Sequence, residues 1–168
     1  MSKILYLQAS PRGEKSASIA VANAFVEAYR ESHPDTKIAT MNLFEVDLPA
    51  FDKVASQGKY AIIYGQEAPA KVRAAFLKIT RIIEAFKDND LYVFAVPMWN
   101  FGVPYPLKHY LDLVIQPTLT FQATDKGYEG LLKGKKAFCA YSRGGDYEGN
   151  DNVDFQKRYL DLALGFIG

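Results

Sequence analysis

The first segment of this sequence that could do chemistry is a serine-rich loop near the N-terminus. Residues 10–18 place hydroxyls at Ser10, Ser16 and Ser18, with Ala17 between the last two, and a helical pattern follows. Hydroxyls and unpaired backbone amides at a helix N-terminus suit a phosphate, because the helix dipole also favours an anion there. The loop matches neither the nucleoside-triphosphate loop G-x-x-x-x-G-K-[ST] nor the dinucleotide fingerprint G-x-G-x-x-G. It predicts either a phosphate site or an ordinary serine-capped helix.

A second candidate loop follows the most apolar run of the chain and carries aromatic side chains. It consists of Pro97, Met98, Trp99, Asn100, Phe101 and Gly102. A tryptophan beside methionine and phenylalanine is costly to leave in water, which favours a flat apolar ligand stacked on the loop. The amide of Asn100 offers both an acceptor and donors, which suits the polar edge of a heterocycle. An aromatic turn that closes the core is the alternative interpretation.

The third candidate loop is short and rich in glycine. It consists of Ser142, Arg143, Gly144 and Gly145, directly after another apolar run. Adjacent glycines let the backbone approach a ligand closely and present its amide donors without side-chain obstruction. The pyrimidine side of a flavin becomes anionic on reduction, and such donors would stabilise that charge. A flexible turn explains the same residues without any ligand.

Residues for other kinds of chemistry are scarce. The single cysteine, Cys139, excludes an internal disulfide and lies in an apolar run typical of a core position. His109 is interpreted as a partly exposed helix residue, and His33 as a cap at a helix end. No spacing of His, Cys and carboxylates indicates a metal, and no G-x-S-x-G elbow indicates a hydrolase.

The elements that must position these loops alternate between strands and helices. Apolar runs predict strands at 4–9, 37–43, 91–96 and 136–141, and helical spacing predicts helices near 19–33, 72–86 and 106–117 and from 155 onward. Residues 47–65 are interpreted as a long connection, and 118–135 as a lid or interface loop. The alternation predicts an α/β domain with a parallel, doubly wound sheet. Ligands bind beyond the carboxyl ends of such strands, where all three loops lie.

Size and charge narrow the class of protein further. The 168 residues fit a single domain, and a net charge of +1 with dispersed basic residues argues against nucleic acid as a partner. No signal-peptide pattern opens the chain and no apolar run approaches the ~20 residues that span a bilayer. We therefore expect no membrane partner and a cytoplasmic location. The sequence stops on apolar residues directly after a predicted helix, which suggests that it is shortened at its C-terminus.

Taken together, these motifs resemble the FMN-dependent NADH-azoreductase family, a branch of the flavodoxin-like quinone reductases. The resemblance covers essentially the whole chain. Besides the serine-rich loop, it rests on P-M-W-N-F at 97–101, L-K-H-Y-L-D-L at 107–113, T-F at 120–121, S-R-G-G at 142–145 and L-G-F-I-G at 164–168. Two departures stand out: Ala17 replaces a polar residue usual in the family, and the family continues past Gly168 with a further strand and helix.

The resemblance implies a flavodoxin-like sheet of order 2-1-3-4-5, with the fifth strand missing from this chain and helices on both faces. It implies a homodimer that binds FMN near the subunit boundary, with Ser10, Ser16, Ala17 and Ser18 at the phosphate. Pro97, Met98, Trp99, Asn100 and Phe101 would flank the ring, and Ser142, Arg143, Gly144 and Gly145 would contact its pyrimidine side. Phe121 and Phe166 resemble residues that border the substrate pocket.

By the same resemblance, NADH reduces the flavin, and a quinone or aromatic azo compound is then reduced by two electrons in a ping-pong cycle. The flavin carries the chemistry, so no catalytic side chain is expected. A flavodoxin-type electron carrier is the alternative, although carriers tend to be acidic and this chain has balanced charge. A hydrolase is a third interpretation, which the lack of a nucleophile or metal motif disfavours.

Overall fold

The computed structural model of the chain describes residues 2–147, 149 and 152–168. Its elements, in chain order, are β1 (Lys3–Gln8), α1 (Ala17–Ser32), β2 (Lys37–Asn42), α2 (Lys53–Ile63), α3 (Ala70–Lys87), β3 (Leu91–Pro97), α4 (Tyr105–Val114), β4 (Phe121–Thr124), β5 (Gly127–Gly130), β6 (Lys136–Ser142) and α5 (Phe155–Ile167). A 3₁₀ turn at Gly13–Lys15 precedes α1. The main predicted strands and helices are therefore confirmed.

The four long strands form a parallel sheet in the order β2-β1-β3-β6. This matches the predicted order 2-1-3-4, since β6 is the fourth strand of the sheet and the intervening β4 and β5 form a separate hairpin. The strands pair in a regular register, for example Gln8 with Ala95 and Pro97 with Ser142. Because every strand runs in the same direction, the loops after β1, β3 and β6 emerge at one edge.

Helices cover both faces of the sheet because successive strand residues point to opposite sides. Ile4 and Tyr6 of β1 pack with α1, together with Val93 and Ala95 of β3. The alternate residues of these strands pack with α3, α4 and α5 on the other face. The buried residues of this second core include Leu5, Leu7, Phe94, Val96, Phe86, Leu107, Tyr110, Leu111 and Leu160. The doubly wound architecture predicted from the sequence is confirmed.

The interpretation of residues 47–65 as a connection is wrong, because α2 occupies most of this segment. Asp52 caps the helix by accepting a hydrogen bond from the Ala55 amide at 2.9 Å. Gly58 is buried inside the helix, where α2 meets α3. A Cβ there would come within 2.4 Å of the Val72 carbonyl oxygen. The glycine therefore permits close helix packing instead of ending the helix.

We expect Gly58→Ala to lower the free energy of unfolding by about 1–3 kcal/mol, because the new methyl group collides with backbone. At an unconstrained helix position the same change would instead stabilise by up to about 1 kcal/mol. Gly165 in α5 is the matched control, since a Cβ there meets nothing within 4 Å among the described residues. Urea denaturation followed by circular dichroism measures both variants. A Gly58→Ala protein as stable as wild type would contradict the close contact.

The segment 118–135, predicted as a lid or interface loop, contains a short antiparallel hairpin of β4 and β5. Gly127 adopts a φ of 114° in its turn, and the Thr124 hydroxyl donates to the Gly127 carbonyl at 2.9 Å. The hairpin packs on the last turn of α5, where a Cβ at Gly130 would lie 2.2 Å from the Ile167 carbonyl carbon. The polar, glycine-rich composition hid this pairing, because most residues of both strands are exposed.

The apolar residues 164–167, expected to follow the last helix, belong to its final turns. Ile167 is buried, and its carbonyl accepts a hydrogen bond from the Leu132 amide at 2.8 Å. Within the described part of the chain, none of the helices has the length and apolar character needed to cross a bilayer.

Candidate functional site

The three candidate loops lie side by side at the carboxyl edge of the sheet. They follow β1, β3 and β6, which are neighbours in the order β2-β1-β3-β6. The amide of Met98 donates to the carbonyl of Ser142 at 2.8 Å, which joins the second loop directly to the third. The structure therefore brings together segments that are far apart in the sequence, as the strand pattern predicted.

In the serine-rich loop, three hydroxyl-bearing side chains are buried around the start of α1. Ser10, Ser16 and Ser18 are all at most 3% exposed. The hydroxyls of Ser16 and Ser18 lie 3.1 Å apart, and the Ser16 hydroxyl also accepts a long hydrogen bond of 3.5 Å from the Ile19 amide. The first amides of a helix have no carbonyl one turn earlier, so those of Ala17 and Ser18 point out of the helix. The loop thus offers polar hydrogens to an anion.

Ser16 is a helix cap and part of this polar cluster at the same time. Its backbone is extended and its side chain caps α1, as predicted for an ordinary serine-capped helix. Capping uses the Ile19 amide only, and the two preceding amides stay available. The basic residues Arg12 and Lys15 are exposed in the same loop and add positive charge, against the single acid Glu14. The helix-cap interpretation is therefore confirmed, and it leaves the phosphate site as a prediction that the loop geometry allows.

The second loop turns back sharply on itself. Trp99 and Gly102 exchange two backbone hydrogen bonds of 3.0 Å, so Asn100 and Phe101 are the central residues of a two-residue hairpin. Both have positive φ, 48° and 70°, which is typical of a type I′ turn. Asparagine tolerates this conformation, whereas a phenylalanine is strained in it by about 1–2 kcal/mol. The turn nevertheless holds the Phe101 ring 53% exposed. Such strain is characteristic of functional sites.

The strain at Phe101 has a measurable consequence. We expect Phe101→Gly to raise the free energy of unfolding by about 0.5–1 kcal/mol, because glycine adopts the left-handed conformation without steric cost. Phe101→Ala removes the same ring but keeps the strain, so it is the matched control and should not stabilise the protein. Chemical denaturation of the two variants beside wild type makes the comparison. Equal stabilities of the glycine and alanine variants would show that the turn is unstrained.

The side chain of Trp99 packs against aromatic residues of this chain. Its ring centroid lies 5.6 Å from that of Phe44 and 6.3 Å from that of Tyr105. Trp99 is 37% exposed and borders an open cavity of about 930 Å³, which His109 and Asp112 of α4 also line. The interpretation as an aromatic turn is therefore partly confirmed, whereas stacking of a flat ligand on the loop stays a prediction. Sequence reasoning missed Phe44, although it follows β2 at the same edge of the sheet.

The third loop contains an arginine that is partly buried and two glycines that are exposed. Arg143 turns inward and pairs with Asp154 at 2.6 Å, and its side chain is only 22% exposed. Gly144 and Gly145 are exposed. A Cβ at Gly144 would meet no heavy atom within 4 Å among the described residues, and its φ lies outside the left-handed region. Among the described residues, nothing in the fold therefore requires a glycine at position 144.

Comparison with known proteins agrees with this geometry. A family profile described as "Flavodoxin-like fold" matches residues 2–168. An FMN-dependent NADH:quinone oxidoreductase of Nitratidesulfovibrio vulgaris (strain DP4) is 46% identical over 171 aligned positions, which cover 100% of this chain and 82% of the relative. The chain belongs to this family. A second relative with the same name, from Desulfotalea psychrophila, is 42% identical over 100% of this chain and 81% of its own length.

Solved structures of the family have the same fold. An azoreductase of Bacillus anthracis str. Sterne superposes with a TM-score of 0.91 at 27% identity, covering 100% of this chain and 82% of that one. An FMN-dependent NADH-azoreductase of Bacillus anthracis str. Ames Ancestor, solved in complex with FMN, gives 0.89 at 29% identity with the same coverage. These findings confirm the predicted family and the flavodoxin-like fold class.

Phe121 and Phe166, the predicted pocket residues, do not join the three loops within one chain. Their ring centroids are 4.6 Å apart, and Tyr128 lies within 6 Å of both. Phe166 is in the last turn of α5, which runs back from the carboxyl end of β6 toward the amino ends of the strands. The aromatic cluster of Phe121, Tyr128 and Phe166 is therefore at the opposite edge of the sheet from the loops.

The remaining titratable candidates have structural roles. The Nε2–H of His109 donates to the Pro49 carbonyl at 3.0 Å, and the Nδ1–H of His33 donates to the carbonyl of Tyr29 at 3.1 Å. Cys139 is partly buried in β6, and burial raises the pKa of its thiol to about 11. A thiol with such a pKa remains protonated at neutral pH and is a poor nucleophile.

Proposed function

We propose that this chain is an FMN-dependent NADH:quinone oxidoreductase that reduces quinones and aromatic azo compounds by two electrons. The observation that carries the proposal is the meeting of three loops at one sheet edge: buried hydroxyls at a helix N-terminus, a strained aromatic turn and an exposed pair of glycines. Each suits a different part of one phosphate-bearing flat heterocycle. The names of the relatives, at 46% and 42% identity, support the same activity.

The residues present fit FMN. A phosphate monoester carries a charge of about −1.5 to −2 at neutral pH and accepts several hydrogen bonds. Ser10, Ser16 and Ser18 supply hydroxyls for it, and the Ala17 amide supplies a further donor at the positive end of α1. The absence of a polar side chain at Ala17 therefore removes one donor from the loop and leaves the backbone site complete.

The other two loops take the ring system. Pro97, Met98, Trp99, Asn100 and Phe101 flank the isoalloxazine, while Ser142, Gly144 and Gly145 present backbone groups to its pyrimidine side. Arg143 belongs to this second set by its position, although its side chain turns away from the loop surface. Preorganised N–H groups stabilise negative charge that develops during a reaction, and the two glycines can supply them.

When bound, FMN supplies the capacity to accept a hydride and to pass it on. The chain's own residues therefore have to bind, orient and shield reactants, and no side chain needs to act as acid, base or nucleophile. Phe101 offers an exposed ring beside the site, on which an aromatic acceptor can stack. The strained turn thus presents an aromatic surface next to the proposed site.

The functional protein is proposed to be a homodimer, with Phe121 and Phe166 bordering the substrate pocket. These residues lie at the opposite edge of the sheet from the three loops, so they can reach an acceptor only at the site of a second copy. The cluster is exposed enough for this role, since Tyr128 is 71% exposed. A single domain over residues 1–168 and a cytoplasmic location remain predictions.

The absorption spectrum of the purified protein and steady-state kinetics test the proposal. We expect flavin bands near 375 and 450 nm (approximately, as for any flavin) and NADH oxidation that depends on added quinone. Initial rates are plotted double-reciprocally against NADH concentration at several fixed quinone concentrations. Parallel lines in that plot would support the ping-pong order. An electron carrier would bind FMN but would not oxidise NADH in the presence of quinone. FMN binding without such turnover would therefore overturn the proposed enzyme activity. Apoprotein that binds no FMN would overturn the whole proposal.

A further inference from the structure

Arg143 is held by a buried polar network behind the glycine loop. One guanidinium nitrogen pairs with Asp154 at 2.6 Å, and Nε donates to the side-chain oxygen of Gln156 at 3.1 Å. Asp154 is 6% exposed in its side chain, and Gln156 is completely buried. The planar guanidinium therefore reaches two residues at the start of α5 at once.

Gln156 continues the network to the neighbouring strand. Its side-chain amide donates to the carbonyl of Val96 at 2.8 Å, near the end of β3. Val96 lies two residues before Met98, whose own amide donates to the Ser142 carbonyl. The second and third loops are thus joined twice, once through the backbone and once through the chain Val96–Gln156–Arg143.

We infer that Gln156 and Arg143 are positioning residues. They fix the position of the third loop (142–145) relative to the second loop (97–102) and thereby set the affinity for FMN. This inference rests on the proposed FMN site. Neither side chain needs to touch the flavin, because the backbone of Gly144 and Gly145 makes the contact. Asp154 completes the arrangement by also capping α5, accepting from the Lys157 amide at 3.0 Å.

Glutamine is the side chain that this position requires. It accepts from the Arg143 Nε–H and donates to the Val96 carbonyl, and an amide of this length does both without any change of protonation state. A glutamate could accept from Arg143 but would set a carboxylate oxygen against the Val96 carbonyl. A methionine of similar length would leave the Arg143 Nε–H and the Val96 carbonyl without these two hydrogen bonds. Because Gln156 and Val96 are completely buried, their lost hydrogen bonds cannot readily be replaced by water.

The test uses Gln156→Met and Gln156→Glu in the full chain, with Gln57→Met on the exposed side of α2 as the matched control. Three quantities are measured: the FMN dissociation constant by fluorescence quenching, hydrogen exchange of the Met98 amide in apoprotein, and the midpoint potential of bound FMN. We expect Gln156→Met to weaken FMN binding about tenfold or more and to speed exchange at Met98. The control should change none of these.

The potential separates positioning from a merely structural role. The glycine amides favour the charge that a flavin acquires on reduction, so a displaced loop should lose affinity for reduced FMN more than for oxidised FMN. A tenfold larger loss lowers the potential of a two-electron couple by about 30 mV. Gln156→Glu should retain the Arg143 contact, lose the Val96 contact, and still speed exchange at Met98.

Distinct outcomes separate this inference from the proposed function. Wild-type protein that fails to bind FMN overturns the proposed function, whereas Met98 exchange in the apoprotein still tests the network. If Gln156→Met has the same FMN affinity, midpoint potential or Met98 exchange rate as wild type, the positioning role is overturned. The proposed oxidoreductase function is not affected by that result. If Gln156→Met does not fold, Arg143→Lys replaces it, because that side chain is partly exposed and lysine can retain the Asp154 ion pair.

Discussion

Replacing Ala17 with aspartate is expected to weaken FMN binding about 100-fold or more while leaving the apoprotein at least as stable as wild type. Ala17 is exposed and is the first residue of α1, so a larger side chain has room. A carboxylate at a helix N-terminus stabilises by about 0.3–1 kcal/mol. It would also stand beside the proposed phosphate, and like charges ~4 Å apart near a protein surface repel by about 4 kcal/mol.

Ala17→Asn is the matched control, since asparagine has the shape of aspartate without its charge. It should bind FMN about as well as wild type, because an uncharged amide can donate to the phosphate. Fluorescence titration measures FMN affinity, and thermal denaturation of the apoprotein shows that the variants are folded. Equal affinities of the aspartate and asparagine variants would place the phosphate away from the N-terminus of α1.

The second large effect is expected for Gly144→Asp, which should weaken FMN binding at least tenfold and disfavour reduced FMN further. The carboxylate would occupy the space next to the pyrimidine edge and repel the charge that reduction places there. The fold should be unaffected, because a Cβ at Gly144 has no neighbour within 4 Å in the described part of the chain and the backbone is not left-handed.

Gly144→Ala separates crowding from charge. We expect a smaller loss of FMN affinity than with aspartate, and a midpoint potential close to that of wild type. Titration of the apoproteins and a reductive titration of each FMN-loaded protein give the two quantities. Aspartate and alanine variants with wild-type affinity would show that the flavin does not approach Gly144.

The part of the site that could be predicted from sequence is the part built on strand ends. Each loop follows an apolar run bounded by proline, glycine or serine, and a parallel sheet necessarily brings such ends to one edge. That logic was enough to place Ser10, Met98 and Gly144 together. It concerns backbone topology, which depends on patterns that many residues share.

Side-chain direction could not be predicted in the same way. Arg143 was expected at the cofactor, but its side chain turns toward Gln156, and Gln156 in turn contacts a carbonyl 60 positions earlier in the chain. No local pattern reports such a contact. Helix α2 was missed for a similar reason. In the sequence, a glycine argues against a helix interior, whereas the close packing of α2 on α3 requires a glycine at Gly58.

The regular pairing of the sheet also limits which changes of chain length the site can tolerate. Gln8 stands opposite Ala95, and Pro97 stands opposite Ser142, so the three loops begin at nearly the same height. One residue inserted into β3 would move its loop by about 3.3 Å and turn every side chain between the insertion and the loop to the opposite face. Substitutions inside these strands can be accommodated by repacking, whereas insertions and deletions should be restricted to the loops and helices.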